Sequence, residues 1–575
     1  MFYHSWGEWL ADLQEQLSVM RAAFGQVNLT KWQMARFFVL QLWRDTPFWL
    51  RGLVLAMGVV VLLSWLEGIV SPYFSTARRL GIPELGVATK PGNPYYYQQM
   101  LLEAGEKYPH TPFYYRIGHH ERVVFPSGYA SEIKKLTDET ASLLEFGRLA
   151  TFDGWNILGG KESSSTFHKV ASSDFARSLP PLVKTAQAAV SRECDLILGR
   201  GEKDDEARKK AKSSTQRVPL MNFVNQLVVA SNQVALVGEP LARDRPWLTA
   251  IRFLSVTVAI GHFTSWFSPR LLHPVWSYVA YTPARLLHSY LSRRLQPSIQ
   301  REMEQWQRQK ETSTDQQAGK MSITEAKGDK KGAGADINLV SQQPTLLSLL
   351  VRRYGEQSRA DWLCGNVLTA SYTATISSVV TLYNFFVEML LVPGLVEELR
   401  AEALSVAHDG RLPATRLDEL AKLDSVLRET ARLNGVLAVT MGRVLQKPHQ
   451  FSIGPLLPKG TFIMVDEYNT HRSPVYYDDP ETFDPMRHYR KRQQPGHETR
   501  HQFVSNGPDF LFWGDGPQVC PGKTFANHNI KIVIAHLLLN YDMELDPPGR
   551  PAKLFMPNGA TRPSLTVALK IRPRH

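Results

Sequence analysis

The chain has 575 residues, of which 43% are hydrophobic and 21% charged, a globular balance that excludes intrinsic disorder, collagen and coiled coil while leaving room for one large domain or several. Three cysteines, Cys194, Cys364 and Cys520, are odd in number and lack metal-finger spacing, which argues against a disulfide scaffold or structural zinc and for a reducing compartment. The formal charge of +12 suits anionic lipid or an acidic protein partner; no basic run is interleaved with aromatics, so nucleic acid is not expected as a partner.

In chain order, residues 1–45 precede an apolar run, Gly52 to Leu66, without a charge and bracketed by Arg51 and Glu67. Extended to residues 46–73, it reaches the roughly 20 residues of a bilayer-spanning helix, with Arg51 and Glu67 snorkelling at its edges. A buried core helix is the alternative, and the long segment before the run argues against a cleaved signal peptide. Arginines before the run (Arg36, Arg44, Arg51) and basic residues after it (Arg78, Arg79, Lys90) leave its orientation poorly determined by charge. Asn28 opens an Asn-Leu-Thr glycosylation sequon.

Residues 74–575 read as one working domain. Two short strands, Phe113 to Ile117 and Arg122 to Phe125, lead into a helix from Tyr129, beyond which the chain is mostly helical. Polar tracts at Gly199 to Ser214 and Arg308 to Asp336 read as solvated loops, the second (308–336) a flexible surface loop between two helices. A long helix is expected around Leu363 to Leu391 and another around Leu417 to Leu433, then short strands and turns from Val436 to Val465. The class is mainly α with small β-sheets (α+β).

Chemistry-bearing patterns cluster in the last third. Glu429 and Arg432 stand three apart on one helix face, and Phe483-x-Pro485-x-Arg487 sets a proline-rigid turn carrying a second arginine. One carboxylate between two guanidiniums makes a buried network able to pin a loop to a helix; an exposed pair of little weight is the alternative. Downstream, Trp513-Gly-Asp-Gly516-Pro-Gln518-Val-Cys520-Pro-Gly522 places a cysteine after glycines and before a helix.

With these three motifs in register, the chain resembles the haem-thiolate cytochromes P-450 over about residues 80–570, and most closely fungal members that tailor secondary metabolites. The resemblance implies the fold of that family behind a single N-terminal transmembrane helix, with haem b (iron protoporphyrin IX) as cofactor and Cys520 as axial ligand of its iron. A helix start beside Cys520, with glycines such as Gly516 turning N–H groups toward the sulfur, favours thiolate. Gly522 leaves room for the porphyrin. Trp513, where most members carry Phe, is expected beside the thiolate, its indole N–H on sulfur or a propionate. Gln518 replaces the usual Arg or His facing a propionate. Arg443 matches the family's other propionate arginine, the alternative being a solvated strand-edge arginine. A further partner comes from His168 or Lys169.

On the oxygen-side helix, Thr373-Ala374-Thr375-Ile376-Ser377 aligns Ile376 with the family's acid and Ser377 with its alcohol. Ser377 is the candidate catalytic hydroxyl, with Thr373 or Ser378 holding relay waters; otherwise these hydroxyls bond back to helix carbonyls. Tyr372, Val436, Leu437, Val439 and Met441 are expected to line an apolar pocket. The resemblance thus implies a membrane-anchored monooxygenase that oxidises a hydrophobic small molecule, such as a terpenoid, polyketide or alkaloid. It would use O₂ and NADPH electrons passed by NADPH-cytochrome P-450 reductase. Loss of the acid keeps two alternatives open: a haem-thiolate isomerase or dehydratase that needs no O₂, and a non-catalytic haem carrier or sensor. In eukaryotic members the chain is anchored once in the endoplasmic reticulum membrane, which puts residues 1–45 with Asn28 in the lumen and the haem domain in the cytosol.

Overall fold

The computed structural model describes residues 48–574 apart from 88–92, 94, 118–119, 153–163, 200–213, 266–271, 322–343 and 557. Asn28, residues 1–45 and most of the two polar tracts lie outside the described residues. The chain divides after Val70 into two compact units. Helix α1 (Phe48–Phe74), most of which belongs to the first, has 27 residues and only Arg51 and Glu67 as charges; at 1.5 Å per residue its length is about 40 Å.

In the second unit the principal helices are α2 (Leu220–Leu236), α3 (Arg245–Ser265), α4 (His273–Ala280), α5 (Thr282–Met321), α6 (Ala360–Leu391), α7 (Ala421–Leu433) and α8 (Lys523–Asn540). The region expected as a loop from Arg308 is helical through Met321, because its Gln, Lys and Glu residues are good helix formers and simply prolong α5. Helix α6 stops before Pro393, which has no N–H to continue the ladder, and Gly394 turns the chain at φ 77°.

Helix α6 threads two cores. Its first half, with Leu363, Val367 and Leu368, packs with Trp247, Leu254 and Val258 of α3 and Leu291 of α5. Its second half, with Val379, Leu382 and Phe386, packs with α2, α7 and α8 through Leu227, Val426 and Ile534. By length and composition alone α3 and α6 could each cross a membrane, but 72% of the apolar window of α6 is buried inside protein, the state of a core helix.

Three small sheets complete the unit among the described residues. Strands β1 (Glu84–Val87), β2 (Phe113–Ile117), β3 (His120–Phe125), β4 (Ala141–Ser142), β5 (Gln216–Pro219), β6 (Val439–Leu445), β7 (Phe462–Asp466), β8 (Tyr541–Asp546), β9 (Leu554–Phe555), β10 (Thr561–Arg562) and β11 (Ala568–Pro573) build them. The largest has the order β1-β2-β3-β7-β6-β4, so β6 is an inner strand, and every one of its residues is buried. Its register against β7 breaks between Thr440 and Arg443, where Met441 takes φ 51°, a bulge that re-aims the side chains after it.

Candidate functional site

The loop from Trp513 to Gly522 is closed by its own backbone: the Cys520 N–H donates to the Trp513 carbonyl at 2.9 Å. Asp515 accepts from the Gly516 N–H at 2.8 Å and pairs with Lys134 at 3.0 Å, which moors the loop to a neighbouring segment. Gly516 is obligatory on two counts. Its φ is 77°, and an added Cβ would stand 2.5 Å from the Lys134 carbonyl oxygen. Trp513 packs between Phe503, tilted at 60° with ring centroids 5.0 Å apart, and Phe512, edge-on at 4.7 Å. Its indole N–H donates to the Phe503 carbonyl at 2.6 Å, which corrects the expectation of a bond to sulfur or a propionate: a backbone acceptor ten residues before the tryptophan takes the proton.

Cys520 stands just before α8, whose N-terminal dipole favours an anion there. Burial nonetheless pushes its thiol up, and the Gly522 N–H and the Lys523 charge only partly offset this. Such a sulfur becomes thiolate when an electrophile such as a metal takes the proton's place. An added Cβ at Gly522 would meet no protein atom within 4 Å, and its φ is an ordinary −92°. Protein packing therefore does not demand this glycine, and the space beside it is open to a flat group lying against the helix start.

Arg443 is 3% exposed. Among the described residues its guanidinium makes one hydrogen bond, to the Gly442 carbonyl at 2.8 Å, and its Nε has no partner. Burial pulls its pKa down to about 10, with Asp138 pulling weakly the other way. A buried cation with donors to spare calls for a carboxylate. The donor set thus fits haem, with Cys520 for iron and Arg443 for a propionate.

The other expected propionate partners behave differently. Gln518 spends both ends of its amide on the β4 segment, donating to the Ala141 carbonyl at 3.2 Å and accepting from the Leu143 N–H at 3.2 Å. His168 Nε2 lies 3.0 Å from the Val519 carbonyl, against the cysteine loop, whereas Lys169 is exposed. A π-helical stretch, Val170–Phe175, comes next in the chain, a distortion often found where helices serve a site.

On α6 a column of hydroxyls repeats every four residues. Thr369 donates to Gly365, Thr373 to Thr369, Ser377 to Thr373 and Thr381 to Ser377, each to the carbonyl one turn back at 2.7–2.9 Å. Every hydroxyl proton in the column is therefore engaged, while each oxygen keeps lone pairs for an incoming donor. Thr373 is exposed and Ile376 and Ser377 half-buried on a helix that is otherwise mostly enclosed. Ser378 is 3% exposed on the packed side and does not share this strip.

The expected pocket residues divide. Leu437, 40% exposed, and half-buried Val436 lie where the chain meets the β9–β10 hairpin, with Leu437 bridged to Ala560 and the Val436 carbonyl accepting from Thr561 N at 2.8 Å. Tyr372 is half-buried against the core around Trp247. Val439 and Met441 are a correction. Val439 packs with Tyr97 and Tyr468, and Met441 with Ile133 and Leu511, because both faces of β6 are covered, all seven of its residues being buried.

The charge network is fully formed. Glu429, wholly buried, accepts from Arg432 at 2.9 and 2.8 Å, from Arg487 Nε at 3.1 Å and from the Asp484 N–H at 3.1 Å. Burial alone would raise its pKa, but the hydrogen bonds from Arg432 and His488 reverse this and hold it well below the usual carboxylate range. The two guanidiniums then reach onward to loop carbonyls: Arg432 to His471 and Pro480 at 2.6 Å, Arg487 to Asp478 at 2.5 Å. His488, whose Nε2 is 3.2 Å from Glu429, completes the cage and is a member that sequence reasoning passed over, although it stands directly after Arg487.

Comparison with known proteins places this geometry. The family model described as Cytochrome P450 matches residues 208–571. Cytochrome P450 monooxygenase ffsD of Aspergillus flavipes is 31% identical over 570 residues, covering 98% of this chain and 100% of that protein. Cytochrome P450 monooxygenase CYP1 of Pyricularia oryzae is 30% identical over 571 residues, 98% of this chain and 97% of its own. Pyrichalasin C-18 hydroxylase of Pyricularia grisea is 30% identical over 561 residues, 97% of this chain and 98% of its own.

Proposed function

The chain belongs to the cytochrome P450 family and is a monooxygenase-type oxidoreductase, and from that premise we propose that it hydroxylates or otherwise oxidises a hydrophobic secondary metabolite. The observation that carries the reading is the cysteine loop: a Cys520 sulfur held by backbone at a helix start, beside a glycine face that no protein atom fills. The kinship with a protein named pyrichalasin C-18 hydroxylase supports hydroxylation of a small-molecule metabolite. Haem, when bound, supplies oxygen activation at a thiolate-ligated iron.

The residues of this chain do the rest. Cys520 gives up its proton, and the α8 dipole and the Gly522 N–H hold the anion. Arg443, whose guanidinium spends one hydrogen bond on the Gly442 carbonyl and keeps donors to spare, would hold a haem propionate. Ser377 offers lone pairs to a proton donor and, by swinging its hydroxyl off the Thr373 carbonyl, passes that proton on; Thr373 holds the water that refills it. Ile376, an apolar side chain at the position of the family's acid, leaves this hydroxyl column as the proton route along that face.

The hydroxyl column also favours a second reading. Hydroxyl protons already engaged by carbonyls, with no acid at the Ile376 position, suit a haem-thiolate isomerase or dehydratase that needs no proton delivery to oxygen. Incubation with NADPH, NADPH-cytochrome P-450 reductase and candidate apolar metabolites decides: oxidised product that depends on NADPH supports the monooxygenase, and NADPH-independent rearrangement of a peroxide supports the other.

The proposed setting is the endoplasmic reticulum membrane, with α1 as a single-pass anchor, residues 1–45 in the lumen and the haem domain facing its reductase in the cytosol. The 27-residue apolar length of α1 supports this. Glycosylation at Asn28 tests it through a glycosidase-sensitive mass shift that Asn28→Gln removes.

A further inference from the structure

Among the described residues, strand β4 is an edge of the six-stranded sheet. On its inner side the Thr140 carbonyl accepts from the Gln446 N–H at 2.8 Å, and Ala141 and Ser142 stand opposite Leu445 and Val444 of β6. Backbone groups alternate along a strand, so the Ala141 carbonyl and the Leu143 N–H fall on the outer side, one acceptor and one donor of the kind a further strand would meet. Gln518, two residues before Cys520, meets both. Its Nε2 donates to the first and its Oε1 accepts from the second, each at 3.2 Å. One side-chain amide thus stands in for a peptide unit of a next strand. Arginine has no acceptor, and the two ring nitrogens of histidine point apart, so neither residue usual at this position could make the pair of bonds.

The edge so bound is the root of a helix. Leu143–Phe152 is helical from its first residue, with Ser142 Oγ accepting from the Glu145 N–H at 3.2 Å. Phe146, one turn in, lies so close over Gly442 that an added Cβ there would stand 2.5 Å from its ring. Gly442 precedes Arg443 and supplies the carbonyl that Arg443 bonds. The helix also packs on β6 through Ala150 and Val444, and it touches α3. The cysteine loop has other tethers, Asp515 to Lys134 and the Val519 carbonyl to His168, but those of Gln518 reach the helix itself. Between the amide and the sulfur there is little slack. The Val519 N–H donates back to Gly516 at 3.1 Å and the Cys520 N–H to Trp513 at 2.9 Å, which makes the segment a stiff lever.

We propose that Gln518 is a positioning residue for Cys520, a side chain that couples the helix Leu143–Phe152 to the cysteine loop, so that a displacement of the helix moves the sulfur. The inference rests on Cys520 as the ligand of haem iron and gives position 518 a role distinct from holding a propionate. Because Phe146 of the same helix bears on Gly442, one element acts on both the sulfur and Arg443. Such coupling is established by non-additive effects of its members, not by their adjacency.

The test uses haem-loaded, full-length protein in four forms: unaltered, Gln518→Leu, Phe146→Ala and the two substitutions together. Hydrogen exchange read by mass spectrometry follows the peptide that holds Leu143, and the reduced CO complex is read for its shares of thiolate-type and thiol-type bands. Gln518→Leu is expected to speed exchange at Leu143 about tenfold, the loss of one ordinary hydrogen bond, and to move part of the CO complex to the thiol-type band at unchanged haem content. Phe146→Ala is expected to shift that share in the unaltered background and several-fold less in the Gln518→Leu background. Gln518→Asn, whose shorter amide stays polar but does not span both bonds, gives the same reading should Gln518→Leu fail to load haem. Faster haem transfer to apomyoglobin with unchanged bands overturns the inference in favour of a propionate contact. An equal Phe146→Ala effect in both backgrounds overturns the coupling. Unaltered protein without a thiolate-type band removes the ligand assignment beneath the inference, whereas a normal band that both Gln518 variants leave intact overturns the inference alone.

Discussion

Replacing Glu429 by Gln keeps the shape of the side chain and removes one charge, which isolates what that charge does. In the native protein the carboxylate, itself shut off from solvent, takes a two-pronged bond from Arg432, one bond from Arg487, one from the Asp484 N–H and one from His488. Glutamine offers one acceptor oxygen, and its NH₂ points donors at donors, so two buried guanidiniums lose their counter-charge. Breaking a buried ion pair from one side costs about 3–5 kcal/mol, against a whole-domain stability on the order of 5–15 kcal/mol. Arg432 and Arg487 also hold the carbonyls of His471, Pro480 and Asp478, so the loop that leads toward the cysteine segment loosens with them. Urea unfolding monitored by tryptophan fluorescence, with haem content read on the same samples, measures both effects. The expected result is an unfolding free energy lowered by at least about 3 kcal/mol and a largely haem-free product. The pH dependence has a definite sign. The folded pKa of Glu429 lies below its unfolded value, so its contribution is present above the ordinary value of 4.5 and is lost as pH falls toward the folded one. A haem-loaded Glu429→Gln protein within about 1 kcal/mol of the native one would refute the reasoning.

Cys520→Ala should leave the loop folded, because the closing bond is between backbone atoms, yet abolish the thiolate-type band of the reduced CO complex; a retained band means another residue holds the iron. Arg443→Met should be tolerated by the apoprotein, since it removes a buried cation without a counter-charge, but should weaken haem retention by about 1.5–3 kcal/mol, tenfold or more in transfer to apomyoglobin; unchanged transfer rules out the propionate role. Glu467, buried and pushed up to about 8 from an ordinary 4.5, has its folded pKa above its unfolded one, so its contribution is full below 4.5 and is lost as pH rises through 8. Stability should fall by up to ~1.4 kcal/mol per pH unit across that window from this group, and Glu467→Gln should flatten the slope; an identical slope in the variant removes Glu467 as its source.

What was legible in the sequence was whatever depends on residues close together or on residue type alone. The cysteine loop was readable because its glycines and the helix start lie within ten residues, and Glu429 with Arg432 because three residues make one helix face. Long-range contacts were not. Trp513 was free, on sequence grounds, to bond sulfur, and only folding shows that the Phe503 carbonyl reaches it first. Gln518 looked like a weakened propionate ligand, whereas its partners are backbone groups more than 370 positions earlier in the chain. Val439 and Met441 were expected to line a pocket as apolar residues, but apolar type alone does not tell a pocket wall from a strand packed on both faces. Strand β6 lies between β7 and β4 with both sides covered, and its bulge at Met441 breaks the alternation as well. The hydroxyls of α6 mark the limit from the other side. Residue type alone said that Ser377 and Thr373 could serve oxygen or serve the helix; the fold shows them doing the second while Thr373 stays exposed and Ser377 half-buried. For an i−4 hydroxyl bond these are compatible, since rotation about one Cβ–O bond exchanges a carbonyl acceptor for a water, and the energy separating the two is about that of one ordinary hydrogen bond.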